Sequence, residues 1–380
     1  MPLTRSDMVD VSVALDLAGT KFHASAVGGA TVVVGTMATV IIAHVVDDPA
    51  ASGVWNDQEF RLHGPTPDLA ASRLTEPAPF TTTGPAPFTT TGPERGHPVH
   101  LFVRIDELCT YLGLVRHSQS KWADGELYSC HLRIDPPLSR ELLDKVRPPG
   151  TQPALPGLGW LDHVETEPGR AVELFVTSWY PNKAEPRPAA AIPGSVPPAL
   201  AGFYRLAEKH PAILGGQNFL APPAELTTDE RAERLIFGTE NQGGWEWSIP
   251  WDLDAADTDP EVWLTEEDEP VPEQEPLSGF LLQFSLYEAS MTAPYKAFAR
   301  ALPRQLLPRL ESCLHRVPLR PFLSPISPKD FLVGPGVIAH VSPGWHDEDE
   351  DEVDVWIGAH HRSALRPLGE VDIRWSRFDG

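Results

Sequence analysis

Proline sets the first limit on this chain. Forty-one of its 380 residues are proline, about 11% against a typical usage of roughly 5%. Each proline removes a backbone donor and clashes with the preceding helical turn, so long helices are confined to the stretches between them. The prolines also cluster. The octapeptide PAPFTTTG occurs twice in tandem, at Pro77–Gly84 and Pro85–Gly92. It is too short and too polar to build a stacked repeat and reads as a duplicated loop over 77–93. A second cluster, PNKAEPRPAAAIPGSVPP from Pro181 to Pro198, has the composition of a semi-rigid connector. The resulting plan is a leader at 1–30 that need not be ordered, a small α+β domain at 31–180, a connector at 181–198 and a second domain at 199–380.

One apolar stretch tests whether the chain is a globular protein at all. Val27–Val46 is twenty residues without Asp, Glu, Lys or Arg, the length of a membrane span. Gly28, Gly29 and Gly35 interrupt it, and its apolar residues are mostly Val and Ile, which suit a pleated sheet. Two buried strands, Thr31–Val34 and Thr39–Val46, are expected instead. Cys109, Cys130 and Cys313 show no C-x-x-C spacing, so buried reduced thiols in a cytoplasmic protein are the reading.

Hydrophobic patterning predicts α+β with a mostly antiparallel sheet. In the first half the expected elements are a strand at His100–Asp106, a short helix at Glu107–Leu114 and a hairpin turning at Asp124-Gly125. A helix capped by Ser139 follows to Val146, then a strand at Ala171–Tyr180. In the second half they are a helix from Pro198 to His210, strands Leu235–Gly238 and Trp245–Pro250, and an amphipathic helix Leu277–Ser290. A strand Val353–Ala359, a short helix His361–Leu368 and an edge strand Val371–Phe378 complete the set.

Charge is concentrated. The chain carries 53 Asp and Glu against 30 Lys and Arg, a formal −23 at pH 7. Asp252–Glu275 holds eleven carboxylates and Asp347–Asp354 seven, with no Lys or Arg in either. The remaining 348 residues are nearly balanced, 35 acids to 30 bases. Direct binding to nucleic acid or to an anionic membrane needs local Lys and Arg to displace counterions, so a basic protein partner is the class this balance admits.

The order of residues in the second half resembles the SUKH superfamily of bacterial immunity proteins and relatives of a yeast cell-wall regulator. The likeness runs through FYRLAEKHPAILGGQNFLAPPAEL, LIFGTENQGGWEWSIPWD, DPEVWL, LSGFLLQFSLYEA and VWIGA. Its most specific pieces are Phe237, Glu240-Asn241-Gln242, Trp245 and Asp259-Pro260, and it covers about Ser195–Gly380. Leu307–Pro335 is longer than the pattern expects, and the first half resembles no family. The resemblance implies a binding domain without chemistry, one that neutralises a toxin, commonly a nuclease, in the cytoplasm of the producing cell.

Candidate sites follow from charge and from that likeness. Asp347, Glu348, Asp349, Glu350, Asp351 and Glu352 form a ribbon suited to a basic partner, with a solvated loop as the plain alternative. Glu240, Asn241 and Gln242 are a candidate recognition turn, or a turn tied to its own backbone. Trp245, Trp247, Trp251 and Trp263 read as core rather than a ligand cage, and His360-His361 as surface. Asp252, Asp254, Asp257 and Asp259 lack the glycine and terminal glutamate of a calcium loop, so neither metal nor cofactor is expected. No G-x-S-x-G, H-E-x-x-H or Walker motif occurs. The rival function is a hydrolase or transferase with its site in the first half and a regulatory second domain.

Overall fold

The computed structural model describes residues 3–44, 56–75, 97–147, 153–180, 196–251, 259–266, 269–324, 326–344 and 351–380. The duplicated octapeptide, most of the proline connector and the ribbon residues Asp347, Glu348, Asp349 and Glu350 lie outside them. The chain forms two units, Met1–Gln152 and Pro153–Gly380.

In the first unit β1 (Met8–Asp10) runs into α1 (Val11–Asp16), followed by β2 (Phe22–Val27), β3 (Ala30–Gly35) and β4 (Thr39–His44). Then come β5 (Glu59–Thr66), α2 (Asp68–Leu74), β6 (Val99–Ile105), β7 (Leu108–Ala123), β8 (Glu126–Ile134) and α3 (Arg140–Val146). One sheet runs β2-β3-β4-β6-β7-β8-β5, with β1 pairing β7. Only β4 and β6 pair in parallel, and the chain between them passes through β5 and α2, the crossover a parallel pair requires.

Within the apolar stretch Val27–Val46, β3 and β4 are interior strands buried on both faces, while residues 45 and 46 lie outside the described residues. Val32, Val34, Ile41 and Ala43 face one core, while Val33, Val40 and Ile42 face another with Ala14 and Ala18 of the α1 region. That double burial explains why no polar residue alternates through it. The leader expected at 1–30 is corrected by the same packing. Residues 8–10 pair with β7, and Gly35 lies so near Ala18 that an added Cβ would stand 1.9 Å from its carbonyl oxygen. The helix expected at Glu107–Leu114 is instead part of β7. There Cys109 and Tyr111 face one core and Leu112 the other, so apolar residues on both faces hid the period of two. The turn at Asp124-Gly125 and the Ser139 cap stand: both turn residues have positive φ, 50° and 84°, and the Ser139 hydroxyl accepts from Leu142 N at 3.2 Å.

The second unit opens with α4 (Pro168–Trp179) and α5 (Pro198–Lys209). A first sheet follows from β9 (Asn218–Leu220), β10 (Thr227–Thr228), β11 (Arg234–Glu240), β12 (Trp245–Pro250), β13 (Glu261–Glu266) and β14 (Glu269–Pro276). Next is α6 (Leu277–Thr292). A second sheet takes β15 (Tyr295–Pro303), then, after α7 (Leu307–Glu311), β16 (His315–Arg316), β17 (Asp330–Gly334), β18 (Val337–Pro343) and β19 (Glu352–Ala359). It is closed by α8 (Arg362–Leu365) and β20 (Arg377–Phe378). The orders are β10-β11-β12-β13-β14, with β9 also on β11, and β16-β17-β18-β19-β15-β20, every pair antiparallel.

Both sheets pack on α6, which touches β13 and β14 of one, β18 and β19 of the other, and α4 and α5. Thirteen of its sixteen residues are buried, so the helix expected to be amphipathic is enclosed on all sides, as an apolar central helix must be. Trp247, Phe280, Phe284 and Phe322 surround its first half with ring centroids 5.6–6.4 Å apart. At its far end a Cβ on Gly358 would lie 2.2 Å from the Ser290 carbonyl oxygen, so only glycine lets β19 approach this closely. β14 ends its sheet with Pro270, Pro272 and Pro276 on paired positions. Prolines suit such an edge because they deny a further strand its donors.

Three further expectations change here. Ala171–Tyr180 is helix α4, because Ala171, Val172, Phe175, Val176 and Trp179 make a buried stripe of helical spacing that packs on α5 and α6. That packing places α4 in the second unit, so the division falls after Gln152 rather than at 181–198. The edge strand Val371–Phe378 shrinks to Arg377–Phe378, although Ile373 and Trp375 still pack on the core.

Candidate protein-binding surface

The β11–β12 hairpin is built from two faces with different tasks. On the inner face Trp247 is fully buried and donates its indole N–H to Glu273 Oε1 at 3.2 Å. Trp245 meets it edge-on at 6.2 Å. Burial pushes the Glu273 carboxyl up to about 7, against the N–H of Trp247. At the turn, the Glu240 carboxylate accepts from Gln242 N at 2.7 Å and Gly244 N at 3.1 Å, with Gly243 at φ +75°. Glu240 thus holds the turn as backbone scaffolding, while Asn241 and Gln242 are exposed. Trp251 packs against the core, and the Arg234 guanidinium covers Trp263 at 4.3 Å, so the four tryptophans form no open cage.

Beside this turn lies a groove of about 510 Å³, bounded by Leu214, Gly215, Phe219 to Pro222, Glu225, Thr227, Ile236, Gly238, Thr239 and Glu246. Its wall is fixed from beneath. Glu288 of α6 accepts from the backbone N–H groups of Gly216, Gln217 and Asn218 at 2.8, 2.7 and 2.9 Å. Burial raises the Glu288 carboxyl, and those three N–H groups oppose the rise. Gly215 sits at φ +114°, where a Cβ would meet Asn218 O at 1.7 Å. The Gly215-Gly216-Gln217-Asn218 run is therefore a structural clasp that holds β9 on β11.

Two carboxylates of the groove, Glu225 and Glu246, are exposed and have no hydrogen-bonding or ionic partner among the described residues. Phe219 is 46% exposed at the same site, one of ten large apolar side chains so exposed among the described residues. Glu246 was legible in the sequence, since alternation with the inward Trp245 and Trp247 sends it outward. Glu225 and Phe219 carry no such signal, because their positions depend on a short irregular edge.

The acidic ribbons divide between scaffold and surface. Asp259 accepts from Ser278 N and Oγ, both at 2.7 Å, and caps α6; Glu275 accepts from Arg320 N at 2.7 Å. Buried Asp354 accepts from Ala301 N at 2.8 Å, holding a residue at φ +50°. Asp351 and Glu352 open the way into β19, and their carbonyls accept from Arg304 N and Gly344 N. The described end of that ribbon, at Glu352 of β19, lies on a different sheet from Glu240 of β11. His361, expected at the surface, is buried and caps α8 by accepting from Ser363 N at 3.2 Å. Cys109 and Cys130 are buried, and burial pushes the Cys130 thiol up to about 12; Cys313 is exposed. Among the described residues no group of three or more His, Cys, Asp or Glu is placed to hold a metal, and no helix is long and apolar enough to cross a membrane. No family model, curated protein or solved structure matches the chain.

Proposed function

We propose that this chain is a SUKH-like immunity or interaction protein that binds and neutralises a basic protein toxin in the bacterial cytoplasm, with no cofactor, metal or chemical step. A nuclease is the toxin class whose Lys/Arg-rich groove fits an acidic binding face. The observation that carries the reading is the pair of exposed, unpartnered carboxylates, Glu225 and Glu246, beside the groove and the exposed Asn241-Gln242 turn. The charge distribution adds to it, since the second unit holds 36 acids to 18 bases and the first 17 to 12. The segments that resemble SUKH proteins, from α5 through α6 and again at β19, belong to this one unit.

The enzyme alternative has one observation to rest on. In the first unit Ser129 Oγ lies 3.2 Å from His63 Nδ1. The nearby carboxylate, Glu59, holds His131 at 3.1 Å and Arg61 at 2.9 Å, and Ser129 is buried. A nucleophile needs an accessible oxygen, and the buried Ser129 does not offer one.

The reading expects a toxin domain encoded beside this gene, and co-expression with that domain is the direct test. Protection of the cells, and a complex recovered at low salt, are expected; equal killing with and without the protein, and no complex, would end the reading. Neutralising the six carboxylates of Asp347–Glu352, which leaves the structural Asp354 in place, should slow association about tenfold at low ionic strength and flatten its salt dependence. An unchanged rate would assign that ribbon to solvent.

A further inference from the structure

We propose that the groove beside the Glu240–Gly244 turn is a receptor for an arginine side chain presented by an extended basic segment of the partner. The inference rests on the protein-binding reading and narrows it to one chemical group. Three observations converge on that group. Glu225 and Glu246 are carboxylates of the groove with no partner of their own among the described residues. Phe219 presents an exposed ring there. The remaining surface mixes apolar Leu214, Pro222 and Ile236 with polar Thr227 and Thr239.

Each kind of occupant can be weighed against this lining. An anion would be repelled by the two carboxylates that line the groove. A neutral apolar ligand would cover the Phe219 ring and leave both carboxylates without a counter-charge as they lose water. Among the described residues a metal ion finds no group of three or more His, Cys, Asp or Glu here. A cation satisfies the carboxylates, and the Phe219 ring then becomes useful, because a cation over an aromatic face is attracted by its quadrupole.

Between the two basic side chains the exposed Phe219 ring and the apolar part of the lining decide. The lysine ammonium is a compact, strongly hydrated charge that gains little from an apolar wall. The guanidinium is planar, weakly hydrated and able to stack on a ring while its edge donates to carboxylates. The groove, about 510 Å³, has room to admit a guanidinium group.

The sheet edge explains how a segment of chain could reach it. β11 is covered by β9 at Gly238–Glu240 and by β10 at Leu235–Ile236. Between them Ala221–Leu226 departs from the ladder, returning only Ala221 N to Phe237 O at 2.8 Å. The groove opens at that departure, so an extended segment can cross the edge and lower one side chain into it.

Calorimetry on the full chain at low ionic strength tests this with three acetylated hexapeptides, repeating Ala-Arg, Ala-Lys or Ala-Gln. The arginine peptide should bind about tenfold more tightly than the lysine peptide, and the glutamine peptide should not bind. Glu225→Gln with Glu246→Gln should weaken the arginine peptide about tenfold or more and erase the preference over lysine. Phe219→Ser should weaken it about threefold. Glu261→Gln, an exposed carboxylate on β13, should leave it unchanged. Equal losses from Glu261→Gln and the groove pair would mean diffuse attraction and overturn the proposal, as would indifference between arginine and lysine. Groove variants that lose the peptide but still protect cells from the toxin would remove the groove as the docking point and leave the immunity reading standing. Groove-dependent arginine binding without protection would do the reverse.

Discussion

The second unit uses the same side chain in opposite ways in two regions. Around α6, carboxylates are structural: Glu288 gathers three backbone N–H groups, Glu273 takes the Trp247 indole and Asp259 caps the helix. On the surface of the β10–β14 sheet, Glu225 and Glu246 hold nothing among the described residues. Charge counted along the sequence treats both groups alike. The comparison teaches that an acidic stretch advertises a partner only through members that the fold has left unpaired.

The largest break in this contrast should come from Glu288. Replacing it by alanine removes the acceptor for three N–H groups at once and leaves Asn218, itself buried, without that support. Unsatisfied buried donors cost about 1–3 kcal/mol each, less where water can enter, so Glu288→Ala should lower the stability of the second unit by about 3–5 kcal/mol. Denaturant unfolding followed by tryptophan fluorescence reads it; a loss under about 1 kcal/mol would show that the clasp is not structural and merge the two populations.

Glu273 should show the contrast through pH. Its folded carboxyl is raised to about 7 by burial, with Lys329 nearby opposing the rise, so the folded state favours the protonated acid. The associated stability is then fully present below the unfolded value of about 4.5 and is lost as pH rises through about 7. Over that window the second unit should lose on the order of 2–3 kcal/mol. Glu273→Gln, which retains an acceptor for Trp247, should remove most of the slope and be the more stable form at pH 8. Parallel profiles for the two proteins would refute this role for Glu273.

How much of this was legible beforehand follows the same division. An element with one buried face announced itself: β12 matches its expected limits, Trp245–Pro250; α6, though enclosed on all sides, is long enough between prolines that it still begins at Leu277 as read. Elements buried on two faces lost their period, which turned β7 into an apparent helix. Val172 and Val176 similarly gave α4 the composition of a strand, until its packing on α5 and α6 decided the matter. The turn Glu240-Asn241-Gln242 was visible as a candidate, yet Glu240 serves its own backbone. The groove beside it was not visible at all. Phe219 and Glu225 belong to a sheet edge made of two short strands and an irregular stretch, and no periodicity links residues 214, 225 and 246.

The smallest expected effect sharpens the comparison most. Glu225→Gln and Glu246→Gln remove two charges from exposed positions that contact no partner among the described residues, so the unfolding free energy should change by no more than about 0.5 kcal/mol each. Removing them also reduces repulsion in a unit carrying 36 acids to 18 bases, so any change should be toward higher stability and should fade as salt screens it. A residue kept for folding cannot behave this way. If either substitution destabilised the unit by more than 1 kcal/mol, that carboxylate would belong with Glu288 and Glu273 as part of the scaffold. If both are silent in unfolding while weakening a basic ligand, they separate binding from folding at the level of single side chains.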